Sequence, residues 1–238
     1  MVEQSAKFEE MQIPLVDPTH GREEVSAVLG IPEWWPTGSR VAVVMAHSAT
    51  SDLNHPVLVS IQNQLTQHGF LTLRFNFPFA EAGDRDNPDP IDVLEKTFRT
   101  AIASLGRDPT SAPAHIFVGG LGLGARVAAQ IATTPIRIEG SFFLSFPLHP
   151  TGAADQIEAD QLYRITSPAI FIQASHDPCC SIEALSRTVR RVGAPIEVRS
   201  IPDVDAEFAA VSPSLRSEAE IHHEVCEHLL RWTEKHRS

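Results

Sequence analysis

The chain has few cysteines, no apolar run long enough to cross a bilayer and a shortage of basic residues, and each deficit removes a class of protein. Only Cys179, Cys180 and Cys226 are present. The count is odd, and adjacent cysteines bridge badly because the geometry is strained, so a reducing compartment is expected rather than a disulfide framework. The start, MVEQSAKFEE, carries charges where a secretory leader needs an apolar stretch. No later segment approaches the roughly 18 apolar residues of a membrane span. A soluble, cytoplasmic protein is the expectation. With 19 Lys and Arg against 30 Asp and Glu, the formal net charge is -11. That charge repels nucleic acid and anionic lipid on average, and no dense Lys/Arg cluster overturns it, so neither nucleic acid nor membrane is an expected partner. Internal repeats and low-complexity tracts are also missing.

What is present suffices for one core. A chain of 238 residues with 42% hydrophobic content is of single-domain size, and residues 1–238 read as one domain. From Arg40 onward, short apolar, β-rich runs alternate with amphipathic segments, the rhythm of βα units on a largely parallel sheet. The runs are Val41 to Ala46, Phe70 to Phe75, Ile116 to Val118, Ser141 to Phe146, Ala169 to Gln173 and Ile196 to Ile201. Several are apolar at nearly every position, as strands buried on both faces should be.

Between them, Leu58, Ile61 and Leu65 share one helical face, as do Ile91, Leu94, Phe98, Ile102 and Leu105. Asp89 is placed as the N-cap of the second helix, with Pro90 at its first position and Asp92 in its first turn. A last helix over 214–236 carries the stripe Ile221, Val225, Leu229 and Trp232. Residues 1–39 lack the βα alternation, but Gln12 to Val16 and Val25 to Ile31 suit an antiparallel hairpin. The longest loop is expected from Pro147 to about Asp160.

Chemistry should concentrate where the strand ending at Val118 runs into Gly119-Gly120-Leu121-Gly122-Leu123-Gly124 and then a helix from Ala125. Such glycine density means a sharp turn and close backbone approach. In an α/β hydrolase this strand-to-helix turn is the nucleophile elbow, G-x-S-x-G, which lifts a serine oxygen above the sheet. Here Gly120 and Gly124 keep the flanking spacing while the central serine is Gly122. The same residues also fit G-x-G-x-x-A through Gly120, Gly122 and Ala125, a dinucleotide-binding variant. Against that reading, no acidic residue closes the next strand, which runs into Pro147.

The match extends beyond the turn. The chain has His47-Ser48-Ala49-Thr50-Ser51-Asp52-Leu53-Asn54-His55-Pro56 and Leu73-Arg74-Phe75-Asn76-Phe77-Pro78-Phe79-Ala80-Glu81-Ala82-Gly83. Then come Gly119 to Arg126, Phe146-Pro147-Leu148-His149-Pro150-Thr151-Gly152, Ser175-His176-Asp177 and Asp205-Ala206-Glu207-Phe208. In this order, over roughly Arg40 to Phe208, the chain resembles the bacterial α/β-hydrolase-like proteins related to the KANL3/Tex30 group, a dienelactone-hydrolase-like branch. The resemblance implies a three-layer α/β-hydrolase fold, a mostly parallel sheet flanked by helices with little or no lid.

The resemblance places the nucleophile at Gly122, the acid at Asp177 and the histidine at Ala206, so two members of the triad are replaced. A hydroxyl nucleophile needs a base to take its proton, and the base needs an orienting acid. The resemblance also implies an oxyanion pocket made from the Leu123 backbone N–H and the loop at His47 and Ser48, and backbone donors survive side-chain replacement.

Other groupings read more plainly. Asp177 suits a helix cap before Ser181 as well as a vestige. His176, Cys179 and Cys180 offer a substitute thiol, although neighbours in sequence seldom aim at one point. His47, Asp52 and His55 could be imagined around a metal but read as loop-fixing hydrogen-bonding groups. The pairs His222/Cys226 and Glu224/His228 read as a helix face, and Trp34-Trp35 as either a packed edge or a partner-facing patch. No metal and no cofactor is expected. The function expected is a non-catalytic binding or assembly role toward a protein or a small acyl or carboxylate ligand. The alternatives are a rewired hydrolase of esters or thioesters using Ser48, Cys179 or Cys180, and a nucleotide- or cofactor-binding module.

Overall fold

The computed structural model describes residues 6–33, 35, 40–107, 112–212 and 215–237. Eight strands form one sheet: β1 (Lys7–Thr19), β2 (Arg22–Ile31), β3 (Val41–Ala46), β4 (Leu71–Phe75), β5 (His115–Leu121), β6 (Gly140–Leu144), β7 (Ala169–His176) and β8 (Ile196–Asp205). Their spatial order is β1-β2-β4-β3-β5-β6-β7-β8. β1 and β2 pair antiparallel and β2 joins β4 antiparallel, and all later ladders are parallel. The helices are α1 (Pro56–Gln67), α2 (Pro78–Glu81), α3 (Ile91–Ser104), α4 (Leu123–Ile131), α5 (Ile182–Val189) and α6 (Glu218–His236).

Alternation along each strand divides the core in two. Ala42, Val44 and Ala46 of β3 meet Phe98, Val127 and Leu185 of α3, α4 and α5 on one face. Val41, Val43 and Met45 meet Leu58, Ile61, Leu229 and Trp232 of α1 and α6 on the other. Every residue of β3 and β4 is buried, which is why these strands read as unbroken apolar runs. This is the three-layer α/β-hydrolase architecture.

Several local expectations are corrected. Asp89 does not cap α3, whose N-cap is Pro90 with no side-chain hydrogen bond. Its carboxylate accepts instead from the Phe79 N–H at 2.8 Å and meets His20 Nε2 at 2.8 Å, so it serves the first turn of α2. Ile91, on the helical face shared with Leu94 and Phe98, is 46% exposed, because the first turn of α3 borders a cavity. Asp177 does not cap α5 either: Ser181 does, accepting from the Ala184 N–H. α6 begins at Glu218 because Ser217 and Glu220 form a reciprocal capping box there. Trp34 lies outside the described residues, and Trp35 packs against the larger core cluster. No described helix is long and apolar enough to cross a membrane.

Candidate functional site

The carried-over positions lie together at the C-terminal edge of the parallel sheet. Gly122 follows β5 and opens α4 with φ 54 and ψ -112, a left-handed turn that a side chain enters only with strain. A Cβ on Gly120 would stand 2.5 Å from Ala46 O, and one on Gly124 would stand 2.3 Å from the same oxygen. Both flanking glycines are therefore required by backbone-to-backbone contact with the end of β3. The space their missing side chains leave is filled by protein, which is the physical reason for the G-x-G-x-G spacing.

Above Gly122, the side chain of Ser48 closes the turn: a Cβ on Gly122 would lie 3.2 Å from Ser48 Cβ. Ser48 Oγ–H donates to Glu207 Oε2 at 3.0 Å, and Thr50 Oγ1–H donates to Glu207 Oε1 at 2.8 Å. His55 Nε2 lies 3.1 Å from Glu207 Oε2, while its Nδ1 accepts from the Val57 N–H. That contact leaves the proton on Nε2, pointed at the carboxylate. Ser51 Oγ accepts from the Ser48 N–H at 3.2 Å and lies 2.9 Å from Ser48 Oγ. Burial pushes the Glu207 carboxyl up, but the bonds from His55, Thr50 and Ser48 outweigh it and hold its pKa below the ordinary value.

Asp177 and Ala206 are neighbours, because the last pair of the β7–β8 ladder, His176 with Asp205, immediately precedes them. Asp177 accepts from the Cys179 N–H at 2.8 Å and from Gln173 Nε2 at 2.5 Å. Its pKa is raised, chiefly by burial. Ala206 brings no imidazole to it; the histidine that acts on its charge is His149, which lowers the pKa, while Glu207 raises it. Ser175 Oγ does lie 2.9 Å from His176 Nδ1, but that pair is exposed at the strand tip. Cys180 is buried, with its thiol pushed up to about 12 by burial, the opposite of what a nucleophilic thiolate needs. Cys179 Sγ lies 3.1 Å from Thr151 Oγ1.

Of the expected pocket residues, His47 is fully buried. Its Nδ1 donates to Ser48 O at 2.7 Å, its Nε2 accepts from the Phe77 N–H at 3.0 Å, and its ring packs edge-on against Phe77 and Phe79. Burial lowers its pKa from 6.5 to about 4. The unfolded chain therefore takes up a proton in that window while the native state does not. Stability falls as pH drops from 6.5 toward 4, by about 3 kcal/mol from this group. Urea titrations of the wild type and His47→Asn across that range should show a steeper acid loss in the wild type. Equal slopes would show that His47 is not the responsible group.

The motif Leu73 to Gly83 holds this loop in place. Buried Arg74 donates from Nη1 to Leu53 O at 2.5 Å, and Asn76 Oδ1 accepts from the Leu53 N–H at 2.8 Å. Asn76 Nδ2 in turn donates to Glu81, which also accepts from the N–H and hydroxyl of Ser26. The specific phrase in the sequence thus pins the Ser48 loop to the end of β4.

The Leu123 N–H, an orphan donor of α4, has no acceptor among the described residues. Beside it opens a cavity of about 460 Å³ lined by Ile91, Leu94, Leu123, Arg126, Ile157 and Glu158, among others. Arg126 pairs with Glu158 at 2.5 Å, yet its buried Nε has no partner. Ile91 and Ile157, 46% and 41% exposed, turn apolar surface toward this opening. Sequence reasoning assigned no role to Glu207, Thr50, Ser51 or Arg126. Glu207 carried one signal, a carboxylate directly after Ala206, where the resemblance places a histidine. No group of three or more metal-ligating side chains converges among the described residues.

Sheet order, elbow and loop geometry together define an α/β-hydrolase-fold protein. A family profile described as alpha/beta hydrolase domain matches residues 39–234, and the chain belongs to that family. Among solved structures it is similar to dienelactone hydrolase from Anabaena variabilis, at 17% identity and TM-score 0.75 over 98% of this chain and 100% of that one. It is also similar to an α/β serine hydrolase without lid from Xanthomonas campestris, at 15% identity and TM-score 0.71 over 98% and 97%. A third is Est1E from Butyrivibrio proteoclasticus with ferulic acid bound, at 15% identity and TM-score 0.71 over 93% and 98%. At these identities the likeness establishes the fold.

Proposed function

We propose that this chain binds an acyl ligand and does not hydrolyse it. The observation that carries this reading is the filling of the space above Gly122 by Ser48, with the Ser48 hydroxyl committed to Glu207. An attacking group needs a base that takes its proton. Glu207 is already stabilised as a carboxylate by three donors and is a weak base toward an alcohol. The Ser48 N–H, one candidate oxyanion donor, is directed to Ser51 Oγ. The cavity beside Leu123 supplies the binding side: apolar walls, with the Leu123 N–H at the start of α4 as a donor for a carbonyl oxygen. Asp89, Glu158 and Asp160 in the lining against the single cation Arg126 favour a neutral acyl group over a free carboxylate. Its volume lies within the roughly 300–1,000 Å³ of small-molecule sites.

The purified protein is expected to resist fluorophosphonate labelling and to leave p-nitrophenyl acetate, butyrate and octanoate at the buffer rate. Octanamide should bind saturably, with affinity about tenfold lower in Ile157→Asp, as the loss of one apolar wall implies. Labelling at Ser48 would instead establish the rewired hydrolase, which the bond of Ser48 to Glu207, itself paired with His55, keeps chemically coherent.

A further inference from the structure

A second cavity, of about 210 Å³, lies at the opposite edge of the sheet, where the start of β8 faces α6. Glu197 and Arg199 project from one face of β8, two residues apart. His228, Arg231, Trp232 and Lys235 project from α6 at spacings of three and four, which form one helical stripe. The lining holds three permanent cations, Arg199, Arg231 and Lys235, against one carboxylate, Glu197. The balance is three minus one, or +2, in a chain whose net charge is -11.

Glu197 is the anchor of this cluster. Its Oε1 accepts from Lys235 Nζ at 2.7 Å and its Oε2 from Arg199 Nη2 at 2.9 Å, so both of its oxygens are used. Arg231 has no ion-pair partner among the described residues. Trp232 also lines the cavity and is only 2% exposed, so its indole is a fixed wall and a reporter of what enters.

We propose that this cavity binds a phosphate dianion, free or as the terminal group of a small phosphomonoester. A phosphate dianion matches the excess of two positive charges. Its three terminal oxygens can accept from Arg231, from the free N–H groups of Arg199 and from Lys235; a carboxylate offers one charge and two oxygens. The cavity is smaller than a typical ligand pocket, so it takes the phosphate head and leaves the esterified group at the exposed Arg231 rim. The site is independent of the elbow and of the acyl-ligand reading.

The test follows the Trp232 indole N–H resonance in ¹⁵N-labelled full-length protein, identified by its loss in Trp232→Phe, during titration with inorganic phosphate and with glycerol phosphate. Both titrations should shift the signal to saturation, and binding should weaken about tenfold or more in Arg231→Glu. Sodium acetate at equal ionic strength should leave it in place. Saturation by either ligand supports the phosphate site; a tighter response to glycerol phosphate assigns the monoester as its source, and equal or tighter binding of inorganic phosphate assigns the free ion. Calorimetry of wild type against Arg231→Glu provides a second readout. A shift that never saturates, that acetate reproduces, or that persists unchanged in Arg231→Glu would overturn the site itself.

Discussion

A triple variant, Gly122→Ser with Ala206→His and Ser48→Gly, should become reactive toward fluorophosphonate at residue 122 while the wild type does not. Each change answers a specific obstacle. Gly122 already has the strained turn, so the new serine inherits the projecting geometry of an elbow. Ser48 must shrink because its Cβ would sit 3.2 Å from the new one, and its loss also frees Glu207 from one of its three side-chain donors. Ala206 adjoins Asp177 through the β7–β8 register, so an imidazole there meets an acid whose carboxylate is already oriented by Cys179 and Gln173. Restoring a general base is worth about 10²–10⁴-fold, and hydrolysis of p-nitrophenyl acetate should rise at least about a hundredfold over wild type. The double variant that keeps Ser48 should gain far less. If the triple variant folds normally by circular dichroism and remains unlabelled, the assignment of Gly122 and Ala206 as vestigial positions is wrong.

Gly124→Ala should destabilise the protein by about 3 kcal/mol or more, the upper end of overpacking costs. The added methyl would stand 2.3 Å from Ala46 O, 2.6 Å from Ala46 C and 2.7 Å from His47 O. These are backbone atoms in the centre of the sheet and cannot rotate away. Gly193→Ala, which meets nothing within 4 Å, is the control and should change stability by less than about 0.5 kcal/mol. Urea midpoints for the two variants decide the matter. A near-neutral Gly124→Ala would mean that α4 packs less closely on β3 than described.

The strands were legible because burial on both faces writes itself into composition: Val41 to Ala46 is apolar at every position and lies in the middle of the sheet. The elbow was legible for a related reason, since only glycine tolerates the approach of backbone at residues 120 and 124. Asp89 shows the limit of such reading. Beside Pro90 it has the local chemistry of a cap, yet its carboxylate is taken by Phe79 and His20, 10 and 69 residues away in sequence. Ile91 shows another limit, because periodicity names a helix face without saying whether the first turn meets core or cavity. Glu207 is the hardest case: its partners Ser48 and Thr50 precede it by 159 and 157 residues.

The amino-acid order by itself determined the class of fold and the position of the sharp turn, because hydropathy period and glycine's backbone freedom act over a few neighbouring residues. Only the tertiary structure decided what stands over Gly122, which groups share the Glu207 carboxylate, where Arg126 opens on a cavity and how Arg199 meets Arg231. Those arrangements depend on strand register and helix packing that bring distant segments within hydrogen-bond range, and pairwise geometry of that kind leaves no local pattern in a single chain.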